Sequence, residues 1–118
     1  MKFDQPSGKR STPDLAAALN ELWMRFLPEI RERVAILEAT AQVRVAGDIA
    51  KEQREAAHAA AHKLAGTLGT FNLARGTELA REFENACATD ESVAATDAQQ
   101  LIAIAAEIRQ LVDERNSP

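Results

Sequence analysis

The sequence predicts an all-α protein, an antiparallel four-helix bundle with a short additional N-terminal helix. Apolar residues recur at three- and four-residue spacing through most of the chain, the period of a helix with one buried face. No stretch alternates apolar and polar residues as a half-buried strand would. The composition is rich in alanine, leucine, glutamate and arginine, without tyrosine and with 4% aromatic residues, which favours packed helices over a sheet. A chain of 118 residues suits one compact domain.

Residues 1–12 are polar and include Pro6, the composition of a flexible N-terminal arm. The bundle is expected over residues 13–116. Thr12 followed by Pro13 and Asp14 reads as a cap with proline at the first helical position. From there Leu15, Leu19, Leu22, Trp23, Phe26, Ile30, Val34, Leu37 and Ala41 form one apolar stripe. Proline removes one ladder bond, so Pro28 divides the stripe into a short helix ending near Leu27 and a longer one. Trp23 and Phe26 are read as core. "EIRERVAILE" and "KEQRE" (residues 51–55) are read as solvated faces. "AGD" at residues 46–48 forms a turn in which Asp48 caps the next helix, about 49–71. A third helix, about 73–88, carries Leu79, Phe83, Ala86 and Cys87 on one side. "ATDESVAATD" is a loop, and Thr96 or Asp97 caps a last helix with the stripe Leu101, Ile104, Ala105, Ile108, Leu111 and Val112. Short connections between such helices make neighbours antiparallel.

The formal net charge of −4 argues against nonspecific nucleic-acid binding, which draws on a basic face. No apolar run reaches the ~20 residues of a membrane span, and the start lacks the apolar core of a signal peptide. A single cysteine, Cys87, cannot form an internal disulfide and reads as a small buried hydrophobe. These features point to the cytoplasm and to a protein that binds neither nucleic acid nor membrane, and apolar stripes that can be buried internally make a monomer the expectation.

Chemistry concentrates in "AAHAAAHKLAGTLGTFNL", residues 56–73, which holds both histidines. With about 100° per residue and Leu64 at the centre of the buried face, Ala57, Ala60, Ala61, Leu68 and Phe71 fall within roughly 60° of it. His62 falls about 160° away and faces outward. Glu55, Ala59, Gly66 and Gly69 share its side. Each glycine in a helix interior costs about 1 kcal/mol relative to alanine. Two of them beside an exposed imidazole suggest clearance for a partner's backbone, although Gly69 also fits a simple need for close packing. An exposed imidazole can serve as base, metal ligand or nucleophile. A base needs a substrate pocket with further polar groups, and the sequence points to none, whereas phosphoryl acceptance requires little of this chain besides an exposed and aligned nitrogen. Lys63, about 100° around the helix, could attract phosphate oxygens.

This segment resembles the phosphoacceptor helix of histidine-containing phosphotransfer domains, four-helix phosphocarriers of two-component relays. The matching positions are His62, Leu64, Gly66 and Thr67, followed by Leu68, Gly69 and Phe71. The chain departs from the pattern at Ala65, where many members carry lysine, and at Asn72, where many carry glycine. The resemblance implies that His62 takes a phosphoryl group from a receiver-domain aspartyl phosphate and passes it on. Lys63, Gly66, Thr67 and Gly69 would support it, and His58, Ala59, Ala65 and Arg75 would dock the partner. The partners implied are a response-regulator receiver domain and a hybrid histidine kinase. No cofactor is expected, with Mg2+ confined to the receiver.

Two other readings follow from the same residues. His58 and His62, four apart on a helix, could chelate a metal with Glu55 as the nearest third ligand. A helical adaptor could also bind a receiver or kinase without accepting phosphate. The chain has no glycine-rich nucleotide-binding signature, so ATP-dependent kinase activity of its own is not expected.

Overall fold

The computed structural model describes residues 4–116, with side chains from residue 14 onward. The described residues form α1 (Asp4–Ala46), α2 (Lys51–Thr70), α3 (Ala74–Ala86), α4 (Asp90–Ala94) and α5 (Ala98–Asn116), with no strand. The long helices close a ring in which α2 borders α1 and α3, and α5 borders α3 and α1. The first two connections are short and α4 lies in the third, so the chain runs up, down, up and down.

The core is built from the expected stripes. Trp23, Ile30, Val34 and Leu37 of α1 meet Leu64 and Leu68 of α2, Leu79 and Phe83 of α3, and Leu101 and Ile108 of α5, all buried. Trp23 and Phe71 meet edge to face with ring centroids 5.2 Å apart. The indole nitrogen of Trp23 donates to Asn116 Oδ1 at 3.3 Å, and the Arg115 guanidinium lies 5.0 Å from its ring centre. One end of the bundle is thereby closed by an aromatic pair and a cation.

The separate N-terminal helix is not found. α1 continues through Pro13 and Pro28 for 43 residues. Proline's fixed φ is itself helical, so it forfeits a ladder bond without forcing a break. Pro28 is exposed, which leaves the freed carbonyl of Met24 to water, while Leu27 and Ile30 stay buried on the opposite side. Thr12 therefore starts no helix. The arm expected over residues 1–12 lies outside the described residues at 1–3, and from Asp4 its backbone belongs to α1. α1 outruns its neighbours, so Leu15 and Leu19, expected on the buried stripe, are 61% and 37% exposed.

Three smaller expectations also change. α2 begins after Ala50 with no side-chain cap, so Asp48 does not serve. The loop after α3 contains α4, capped reciprocally by Thr89 and Ser92; the sequence T-D-E-S places a hydroxyl at each end of one turn. Arg54 of "KEQRE" is buried. Its guanidinium donates to the carbonyls of Cys87 and Ala88 at 2.8 and 3.1 Å and to Asp90 Oδ1 at 2.7 Å. The free carbonyls at the end of α3 thus find their partner on α2. Asp97 does cap α5, accepting from the backbone of Gln99 at 3.1 Å.

Candidate functional site

α2 rotates as the helical wheel requires. Ala57, Ala60, Ala61, Leu64 and Leu68 are buried, and the His62 side chain on the far side is 68% exposed. Its Nδ1 lies 2.8 Å from Oε2 of Glu84 on α3. An ionised carboxylate only accepts, so the neutral tautomer that suits this contact carries its proton on Nδ1 and its lone pair on Nε2. The ring is held on one edge by a mostly buried carboxylate, 17% exposed, and offers its other edge to solvent.

Helix register explains why Glu84 arrives there. Thr77 of α3 donates to the carbonyl of Ala65 at 2.9 Å and lies against Gly69. Seven residues, or two turns, further along α3 and back along α2 bring Glu84 level with His58 and His62. His58 Nε2 lies 3.9 Å from the same Glu84 oxygen. Sequence reasoning missed Glu84 because an acidic residue on an amphipathic helix reads as solvated. Only the pairing of α2 with α3 identifies its neighbour.

The glycines separate into two roles. A Cβ at Gly66 would meet nothing within 4 Å, whereas one at Gly69 would lie 3.3 Å from Thr77 Oγ1. Gly66 therefore leaves open space over the helix beside His62, and Gly69 serves the close approach of α3. Lys63 is exposed and Thr67 half-buried. Both line an open groove of about 470 Å³ between α1 and α2, together with His62, Gly66, Thr70, Phe26, Glu29 and Arg33.

Ala59 is exposed and His58 half-buried beside this surface. Two of the expected docking residues are placed otherwise. Ala65 is buried against α3 at 2% exposure, because its direction lies on the flank that meets Thr77. Arg75 is occupied by Glu107 of α5 through two bonds of 3.0 and 3.2 Å and by Glu78 at 3.3 Å. Asn72, the departure from the glycine pattern, has φ of +62°. Its amide donates to Gly69 and that of Leu73 to Leu68, the paired bonds of a left-handed helix terminus where asparagine is a common substitute for glycine. Glu55 reaches toward Arg54 at 4.0 Å. Among the described residues no group of three or more His, Cys, Asp or Glu side chains could hold a metal ion. None of the described helices is long and apolar enough to cross a membrane.

The burial of Cys87, whose side chain is inaccessible, pushes its thiol up to about 11, against a smaller opposing effect of the Arg54 charge. It takes no part in this surface.

Protein RcaC of Microchaete diplosiphon is 37% identical over 68 residues, a stretch covering 58% of this chain and 10% of that protein. The chain thus corresponds to a small part of that relative's length. No solved structure matches significantly. The family model of the Hpt domain matches residues 21–116, nearly the whole bundle from the end of the α1 overhang to the last turn of α5. The chain belongs to the Hpt domain family, whose general role is that of a phosphotransfer carrier in phosphorelays.

Proposed function

We propose that His62 is the phosphoacceptor, receiving a phosphoryl group on Nε2 from the aspartyl phosphate of a receiver domain and returning it to a receiver. The observation that supports this reading is the contact between Nδ1 and Glu84, which favours the neutral tautomer with Nε2 as the nucleophile on an exposed ring. In the forward step the Nε2 lone pair forms the N–P bond. The P–O bond to the aspartyl group breaks, and that carboxylate leaves with the electron pair. No proton needs to move. The positive charge that develops on the ring is shared through Nδ1–H with Glu84, a charge-assisted hydrogen bond. The same interaction serves the return step, since a ring protonated at Nδ1 is the better leaving group.

Gly66 provides clearance for the receiver's loops, with Lys63 and Thr67 along its edge, and Ala59 and His58 flank the contact. Mg2+ belongs to the receiver. Phosphate enters from a partner such as a hybrid histidine kinase, since the chain shows no nucleotide-binding signature of its own. The test is transfer from a phosphorylated receiver to the parent, to His62→Gln and to His58→Gln. Acid-labile label on the parent and on His58→Gln, with none on His62→Gln, is expected. Equal signalling competence of His62→Gln would instead identify an adaptor.

A further inference from the structure

We infer that Arg33 of α1 is a positioning residue for the phosphorylated state, its guanidinium turning from Glu29 to the phosphoryl oxygens on His62. This deepens the proposal that His62 is the acceptor and rests on it. α1 and α2 run antiparallel with Phe26 facing Phe71 at 6.3 Å between ring centres. Seven residues further along α1 and back along α2, Arg33 is level with Leu64, within one turn of His62. It lines the same groove as His62, Lys63, Gly66 and Thr67, and the open space at Gly66 leaves that groove unobstructed.

The arginines with structural tasks are differently held. Arg109 grips Glu38 through two bonds of 3.0 and 2.7 Å, Arg75 grips Glu107, and Arg54 and Arg44 bind backbone carbonyls. Arg33 has instead a single 3.5 Å pairing with the exposed Glu29 one turn earlier, although its own side chain is only 22% exposed. Such a pairing between helix neighbours is weak, so a phosphoryl dianion entering the groove can displace it. A planar guanidinium matches phosphate geometry. The position where many family members carry lysine is Ala65 here, which is buried, and Arg33 supplies a cation from the opposite helix.

The test uses the isolated full chain phosphorylated with phosphoramidate, a small donor that needs no receiver docking. The Nε2–P bond forms as the donor's P–N bond breaks, and ammonia leaves. The 31P signal of phosphohistidine is then titrated in the parent, Arg33→Gln, Arg33→Lys and Lys63→Gln. A cation near the phosphoryl group favours its dianion, so the parent should titrate at lower pH than Arg33→Gln. The gap should be about half a pH unit, as for charges roughly 5 Å apart in a water-like medium. Arg33→Lys should retain much of the shift. Identical titrations in the parent and Arg33→Gln would overturn the assignment while leaving His62 as the acceptor. Failure to form phosphohistidine at His62 in the parent would overturn both.

Discussion

Gly66→Ala should make the protein more stable and a poorer phosphocarrier. Alanine is favoured over glycine by about 1 kcal/mol in a helix interior, and the added methyl would meet nothing within 4 Å in the isolated domain. The full gain should therefore appear, raising the melting temperature by roughly 4 °C. Gly69→Ala adds a methyl 3.3 Å from Thr77 Oγ1, a hydroxyl already committed to the carbonyl of Ala65, so part of its gain is lost. Gly76→Ala would place a methyl 2.9 Å from Leu68 Cδ1 in the core and should destabilise by roughly 1–3 kcal/mol. Calorimetry should order the three as Gly66→Ala above Gly69→Ala above Gly76→Ala. In the docked complex the Gly66 methyl should obstruct the receiver and slow transfer on the order of tenfold, an effect of about 1.4 kcal/mol. A Gly66→Ala protein less stable than the parent would refute the helix argument. Unchanged transfer, in that variant and in Gly66→Leu, would refute the clearance argument.

Glu84→Ala should lower transfer about tenfold by freeing the His62 tautomer and orientation, whereas Glu84→Gln, whose amide oxygen can still accept from Nδ1, should lose much less; rapid-quench transfer assays separate the two. Arg54→Ala leaves two backbone carbonyls and Asp90 without their donor and should destabilise by about 2–4 kcal/mol in urea unfolding. Cys87 should resist alkylation in the native protein and react on unfolding. Its thiol keeps its proton up to about pH 11 in the fold but loses it near its ordinary value when unfolded. The unfolded chain thus binds fewer protons between those values. Stability should fall across that window by about 2–3 kcal/mol, a loss that Cys87→Ala should abolish in alkaline urea titrations.

The sequence made the bundle legible because its buried positions are separated by helical spacing, and His62 legible because helical rotation alone turns it away from Leu64. Legibility ended where a property depended on two helices at once. Glu84 and Arg54 are charged residues whose partners lie across the bundle, and nothing in their own helices distinguishes them from solvated neighbours. Gly66 and Gly69 look alike on α2 and differ only in whether α3 stands above them. Pro28 misled for a related reason. The local rule predicts a break, but apolar contacts on both sides of it hold α1 as one helix. The overhang bearing Leu15 and Leu19 likewise reflects where the other helices end.

The most direct test is the site and regiochemistry of phosphorylation, read by 15N and 31P NMR on the protein after transfer from a phosphorylated receiver. The geometry at Glu84 predicts phosphohistidine at His62 with the phosphorus on Nε2 and Nδ1 still facing the carboxylate. Phosphorus on Nδ1, or label on His58 in place of His62, would contradict it.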